Sequence, residues 1–331
     1  MAGKEEVMAI FGKARAFWEA RILMTAAELD IFSLLLDTPK TAAQVSEKLS
    51  SDPRGTDALL NALVATKLLV KERGAFRVRP GLETSLSSSA SETVLPLVQH
   101  MAQLWESWGR LTEIVIKGKE ADSFESRERD EEGIKAFIGA MHTIGRGMAE
   151  SVVSRLDLSG HSNLIDVGGG SGVYTIAILR SAPRMRATIF DLPPVIELAR
   201  QKLTEENMIE RVTLAAGNFY KDALPAGHDL ALLSAIIHQN SPEQNVKLYR
   251  NVFGSLLPGG TIVIRDYVMS DDHTEPPDGA FFAINMLVNT KGGGTYSFEE
   301  IKETLGAAGF TQVNLLHHSE MDSLVTAQKP Q

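Results

Sequence analysis

The segment NLIDVGGGSGVYTIAILR, residues 163–180, places four glycines within five positions between two apolar runs. A glycine turn between a strand and a helix lets backbone approach a ligand closely, so the question is which ligand. A dinucleotide loop needs G-x-G-x-x-G. Here Gly168, Gly170 and Gly172 give G-x-G-x-G, and the third dinucleotide glycine falls on Val173. No Lys-Ser/Thr pair follows the loop, so a P-loop is excluded. Alone, the glycines would equally suit a tight turn with close backbone packing.

Two acids decide the reading. Asp166 ends the first strand beside the loop, where its carboxylate can pair with a cationic ligand group. That is an odd neighbour for a phosphate and a natural one for an amino acid ammonium. Asp191 ends the next strand, in ATIFDLPP, where a carboxylate suits the two hydroxyls of a ribose. The pattern implies a nucleoside carrying an amino acid, a description that S-adenosyl-L-methionine meets.

The elements around these residues alternate strand and helix from about residue 160. Apolar runs predict strands at 163–167, 187–191, 211–215, 229–234 and 261–266, and a closing hairpin in TQVNLLHHSEMDSLVTAQ. Ser241-Pro242 with Gln244, and Ser297 with Glu300, are capping-box helix starts. This spells a doubly wound, Rossmann-like α/β domain with its ligand at the C-terminal strand ends.

The first ~100 residues read differently, as short helices followed by LLVKERGAFRVR, two strands around a turn at Arg73-Gly74. Helix, turn, helix and β-wing make a winged-helix arrangement. Its second helix, at 54–67, offers only Arg54 and Lys67 as cations, with Asp57 between them. DNA affinity needs several cations on one face, so a packing or dimerisation role is expected. The expected domains are a winged-helix-like module, 1–100, and a helical linker plus cofactor domain, 101–331. TSLSSSAS (84–91) and the charged run at 117–133 read as connectors.

Composition bounds the rest. The chain has 331 residues and a net charge of −9, and residues 1–100 balance 12 Lys+Arg against 12 Asp+Glu. An extended nucleic-acid surface is not expected. Absence of cysteine excludes disulfides, thiolate zinc sites and cysteine nucleophiles. No apolar run is long enough to span a membrane, and a cytoplasmic location is expected by default.

The chain resembles the class I S-adenosylmethionine-dependent small-molecule O-methyltransferases that carry an N-terminal dimerisation domain. The resemblance rests on LIDVGGGSG, FDLPPVIELA, RVTLAAGNFYKDALPAGHDLALLSAIIHQNSPEQ, LLPGGTIVIRDYV and GGGTYSFEEIKETLGAAGF, in this order. It implies that Gly168, Gly170 and Gly172 hold the methionine part of the cofactor. Asp191 would hold the ribose, with Leu192 packed near the adenine. Gly217-Asn218-Phe219 stands for the family's G-D-[MF]-F segment, with an amide in place of the acid. The amide oxygen can still accept from the adenine amino group. Ser234 falls where many members have Lys or Arg. The family's catalytic base maps to His238 of His238-Gln239-Asn240, and an imidazole, with an ordinary pKa of about 6.5, suits that work. Because dimerisation modules in this family intertwine, a homodimer is implied.

Three departures matter. Gln239 replaces the acid that commonly follows the His, and Thr295 falls where a second Glu usually flanks it. Asp266 stands where plant members have Glu, leaving it to orient the imidazole. A weaker base would suit an acidic phenol, or a nitrogen or carbon nucleophile, so C- or N-methylation is the alternative to O-methylation. A regulator using the cofactor only as a ligand is a further alternative.

The helix DGAFFAINMLVNT (278–290) reads as core by periodicity, and the resemblance adds Phe281, Phe282, Asn285 and Met286 as acceptor-pocket residues, with Met141 from FIGAMHTIGRGM. Aromatic and Met side chains suit a flat apolar acceptor. Trp105 and Trp108 can reach that pocket or a dimer interface. His142 can line the pocket or be satisfied in the core. His317 and His318 point to opposite faces of a strand. No carboxylate/His cluster has metal-ligand spacing, and a metal-independent enzyme is expected.

Overall fold

The computed structural model describes residues 3–90, 93–118 and 131–331. Most of the charged connector expected at 117–133, and Ser91 of the serine-rich one, lie outside the described residues. The chain divides into two compact units, 1–105 and 106–331.

In the first unit, Thr41 caps the helix Ala42–Leu49. Its Oγ1 accepts from the Gln44 backbone N–H, and Gln44 Oε1 accepts from the Thr41 N–H. Asp52 caps Pro53–Ala65, with Pro53 at the first helical position. Strands Leu69–Glu72 and Ala75–Val78 pair antiparallel around Arg73 and Gly74, both at positive φ as a tight hairpin requires. Lys40–Thr41 adds a third strand. Ile31, Phe32, Leu35, Leu60, Leu63 and Phe76 form the core. The first helix, Lys4–Arg15, buries no residue within the chain.

The second unit is built on seven strands: β1 (Asn163–Val167), β2 (Arg186–Asp191), β3 (Val212–Ala216), β4 (His228–Ser234), β5 (Leu256–Asp266), β6 (Thr311–His317) and β7 (Ser323–Gln328). Their spatial order is β6-β7-β5-β4-β1-β2-β3. β1 to β5 run parallel, while β7 is antiparallel to β5 and β6 to β7. Strand order reverses between β1 and β4, and that switch point opens the crevice at their C-terminal ends.

Burial on both faces is read along β1. Leu164 joins one core cluster with Ile176, Leu179 and Ile189, whereas Ile165 and Val167 join the other with Tyr249, Val252 and Ile264. That is the period-2 alternation of a strand covered on each side. β5 starts at Leu256, before the expected 261, because Leu256 already pairs with His228. A two-stranded parallel pair, Val268–Met269 with Tyr296–Ser297, is too short for periodicity to reveal.

Candidate active site

The glycine loop closes the C-terminal end of β1. Gly168, Gly170 and Gly172 all take positive φ, which L side chains rarely adopt. A Cβ on Gly168 would lie 2.5 Å from Ile236, and one on Gly172 2.9 Å from Ile189. Gly168 N–H donates to the Phe190 carbonyl at 2.8 Å, and Gly170 N–H to Asp191 Oδ2 at 2.8 Å. Asp191 Oδ1 accepts from Leu192 N–H at 2.7 Å. Burial raises the pKa of Asp191, and these two backbone donors oppose that shift. Leu192, 44% exposed, offers a bare apolar surface next to this carboxylate.

Asp166 lies under the loop rather than beside it. It is 2% exposed, its Oδ2 accepts from Thr175 Oγ1 at 2.6 Å, and a Cβ on Gly169 would sit 2.9 Å from its Cγ. Burial, with the Asp191 charge adding, pushes its carboxyl up to about 6, against the opposing Thr175 hydrogen bond. It ties the loop to the helix Val173–Ser181.

Across the crevice, Gly217 follows β3, and a Cβ there would come within 2.4 Å of the Phe190 ring. Asn218 Oδ1 accepts from Tyr220 N–H at 2.9 Å, leaving its second lone pair for a ligand donor. Phe219 packs beside Tyr220, with centroids 4.5 Å apart. At the end of β4, Ser234 Oγ and the Tyr174 hydroxyl are buried facing one another, and neither makes a well-formed hydrogen bond among the described residues. Such orphaned groups cost stability until a bound polar group or water satisfies them.

These features fit S-adenosylmethionine. The loop presents bare backbone because Gly168 and Gly172 leave no room for a side chain, Asp191 and Leu192 offer a carboxylate with an apolar face, and Asn218 keeps an amide lone pair.

His238 sits in the single turn Ile237–Gln239 after β4. Its Nδ1 lies 2.9 Å from both Oδ1 and Oδ2 of Asp266 at the end of β5. The imidazole is 11% and the carboxylate 1% exposed. An ionised carboxylate can only accept, so Nδ1 carries the proton and Nε2 keeps its lone pair. The ring meets Phe282 edge-on, with centroids 4.8 Å apart, and Tyr267 packs against Phe282 with centroids 5.1 Å apart. Burial pushes the Tyr267, Tyr220 and Tyr296 phenols each up to about 12, so none competes as a base near neutral pH.

A polar scaffold sets the imidazole's turn. Asn245 Nδ2 donates to the Ile237 carbonyl at 3.0 Å, and Asn240 Nδ2 to Asn245 Oδ1 at 2.9 Å. The Tyr220 hydroxyl donates to Asn240 Oδ1 and the Tyr296 hydroxyl to the Asn240 carbonyl. Gly294 N–H donates to the His238 carbonyl at 2.9 Å. Thr295 turns instead to the Gly279 carbonyl at 3.3 Å. Among the described residues, Asp266 is the one carboxylate paired with His238.

Acceptor-side expectations divide. Phe282 faces His238, and Met286 is buried on the same helix, Pro277–Asn289. Phe281 is 66% exposed, since one residue along a helix turns the side chain by about 100° from Phe282. Met141 is half-buried on Glu131–Val153. Beside it His142 Nδ1 lies 2.9 Å from Ser171 Oγ of the glycine loop, a pairing that sequence reasoning missed. Burial, then Lys202 and Arg146, lower the pKa of His142. Trp108 Nε1 donates to Asn285 Oδ1 at 3.0 Å, while Trp105 packs near Phe17 and Arg21 in the first unit. No cluster of three or more metal-ligating residues occurs among the described residues.

Comparison with known proteins places this arrangement. Residues 12–83 match the O-methyltransferase dimerisation domain and residues 108–311 the O-methyltransferase domain. The chain is 31% identical to 3-hydroxy-5-methyl-1-naphthoate 3-O-methyltransferase of Streptomyces sahachiroi, covering 91% of this chain and 88% of that one. It is 28% identical to L-tyrosine C(3)-methyltransferase of Streptomyces lavendulae, covering 91% and 85%. The crystal structure of human N-acetylserotonin methyltransferase in complex with S-adenosylmethionine superposes with a TM-score of 0.86 at 24% identity, over 100% of this chain and 99% of that one.

Proposed function

This chain belongs to the O-methyltransferase family, with its dimerisation and catalytic domains, and from that premise we propose that it methylates a hydroxyl of a small aromatic acceptor with His238 as general base. It is an S-adenosylmethionine-dependent methyltransferase. The observation that carries the base assignment is the His238 Nδ1 contact with both oxygens of Asp266.

When bound, the cofactor supplies a methyl on a sulfonium, already activated for transfer. The protein's part is positioning and proton removal. Gly168, Gly170 and Gly172 hold backbone close to the methionine moiety, Asp191 takes the ribose hydroxyls, and Leu192, Asn218 and Phe219 surround the adenine. Ser234 provides a further polar contact. Phe282 and Met286 form an apolar wall that aligns a flat acceptor beside His238. Nε2 takes the acceptor hydroxyl proton, and Asp266 accepts from Nδ1–H of the resulting imidazolium.

The same reading treats residues 1–105 as the module that joins two copies. Val7, Met8, Ile10, Phe11, Phe17 and Trp18 are each more than half exposed, and a second copy covering them gives a homodimer. The balanced charge of that region, with 12 cations and 12 acids in residues 1–100, supports a protein partner over nucleic acid. Among the described residues no helix is long and apolar enough to cross a membrane.

The deciding experiment measures S-adenosylhomocysteine binding by calorimetry, then its release with phenols, enols and amines, for wild type and His238→Ala. The reading expects binding, turnover of a phenol class, and a loss of about 10²- to 10⁴-fold in kcat in the variant. Full activity in His238→Ala would remove His238 as base. NMR of the product locates the methyl. A carbon- or nitrogen-bound methyl would instead favour the second reading, which the tyrosine C-methyltransferase relative supports.

A further inference from the structure

The glycine loop, residues 168–172, carries a single side chain. Ser171 supplies it, and the other four positions are glycine. Ser171 is 5% exposed, and its Oγ lies 2.9 Å from His142 Nδ1 on the helix Glu131–Val153.

That helix follows the loop step by step. Ile138, His142 and Gly145 are spaced by four and three residues, so they share one helix face. Ile138 reaches Gly170, where a Cβ would lie 3.9 Å from Ile138 Cδ1. His142 reaches Ser171. Gly145 meets Val173, and a Cβ on Gly145 would come within 2.7 Å of Val173 Cγ1. The helix therefore lies directly over the turn, and His142 brings it a polar group.

On its sheet side the loop is held through backbone, by Gly168 N–H to the Phe190 carbonyl and Gly170 N–H to Asp191 Oδ2. On its helix side the Ser171 hydroxyl is the handle. A hydroxyl both donates and accepts, so it satisfies His142 Nδ1 in either neutral tautomer. Burial, then Lys202 of the helix Pro193–Glu205 and Arg146, lower the pKa of His142 against the opposing Glu206 and Glu205. The imidazole is thus neutral at pH 7.5.

Such an anchor matters because glycine backbone is otherwise free. Gly168, Gly170 and Gly172 take positive φ, a region that glycine populates about as readily as negative φ. A loop left unanchored must be ordered by its ligand, and that ordering subtracts from affinity.

We infer that His142 is a positioning residue for the cofactor: by gripping Ser171 it fixes the glycine loop in its binding conformation before S-adenosylmethionine arrives. The inference rests on the reading of this loop as the cofactor site. It does not depend on which acceptor is methylated or on His238 as base.

The test measures S-adenosylhomocysteine binding by calorimetry at pH 7.5, with no turnover required. His142→Leu is expected to bind about three- to ten-fold more weakly than wild type, the worth of one hydrogen bond. His142→Asn places an amide atom where Nδ1 stood and should bind within about two-fold of wild type. Ser171→Ala should lose about as much as His142→Leu, and the double variant no more than either, because both changes remove one contact. In cofactor-free protein, hydrogen exchange at residues 168–172 should quicken in His142→Leu while the amides of Glu131–Val153 keep their protection. A role confined to the helix's own stability would quicken those instead.

Undiminished binding by His142→Leu, His142→Asn as weak as His142→Leu, or additive losses in the double variant overturns the inference. If His142→Leu fails to fold, Ser171→Ala and His142→Asn decide: weakened binding in the first with retention in the second supports it, and any other pair of results overturns it. A wild type that binds no S-adenosylhomocysteine would sink the cofactor reading together with this one, whereas variants that bind as wild type does would sink the inference alone.

Discussion

His238 Nδ1 contacts both carboxylate oxygens of Asp266 at 2.9 Å, although 28 residues separate them in the chain. The pairing arises because β4 and β5 are parallel neighbours whose C-terminal ends lie side by side, with Ser234 in register with Arg265. Asp266 Oδ1 also accepts from Tyr267 N–H at 2.9 Å, which holds the carboxylate in place. Asp266→Asn keeps the shape but lets the amide present N–H to Nδ1, stabilising the tautomer with its proton on Nε2. We predict a kcat loss of about 10²-fold or more with S-adenosylhomocysteine affinity within about two-fold of wild type. Steady-state kinetics and calorimetry read the two quantities separately.

Gly293 abuts the same histidine from behind. A Cβ there would lie 2.4 Å from the His238 carbonyl oxygen and 2.5 Å from Thr290 Oγ1. Gly293→Ala must displace the turn that carries the imidazole. The expected result is a lowered kcat of about ten-fold or more with cofactor affinity unchanged, since small misplacements of a reacting group are costly. An unchanged kcat would show that the loop yields without moving His238.

Gly217 tests the other side of the crevice. Its missing side chain makes room for the ring of Phe190, which is 3% exposed. Gly217→Ala should destabilise by about 1–3 kcal/mol through overpacking and weaken S-adenosylhomocysteine binding. Adding Phe190→Leu should recover part of the affinity, because the two changes share one contact. Additive losses in the double variant would argue that the clash is relieved elsewhere.

Asp166 carries a pH-dependent cost. Its carboxyl is pushed up to about 6 in the fold, whereas an unfolded Asp titrates near 3.9. A folded-state pKa above the unfolded one means that the stability contribution is greatest below about pH 4. It is lost as pH rises towards 6, and the full cost of about 3 kcal/mol applies above that. Asp166→Asn retains an oxygen for the Thr175 hydroxyl. The cofactor-free variant should therefore melt higher than wild type at pH 7.5, with the gain shrinking as pH falls towards 4. A gain that is independent of pH would contradict the buried-charge account.

Much of this architecture was legible in short windows of sequence. The capping boxes at Thr41/Gln44, Ser241/Gln244 and Ser297/Glu300 form as read, since each needs only three residues of separation and one hydroxyl. The alternation of Leu164 and Ile165 between two core clusters, and the positive φ of three loop glycines, are likewise properties of local backbone geometry. The resemblance supplied His238 and Asp266 together, which spacing alone could not have paired.

Tertiary structure decided which way side chains face. Phe281 and Phe282 are the same residue type one position apart, yet one is exposed and the other meets His238. The helix they share is apolar on more than one side, so composition does not mark its inner face, and packing against neighbours sets its rotation. Asp166 turned beneath its loop, where the Thr175 hydroxyl, nine residues on, donates to its carboxylate. Trp108 and Asn285 are 177 residues apart, and the direction of that amide follows from a contact that no local pattern records. Local spacing determined the elements and the glycine cradle. The orientation of His238, Phe282 and Asn285 depended on how distant elements pack, because a hydrogen bond's direction is set by where both partners end up.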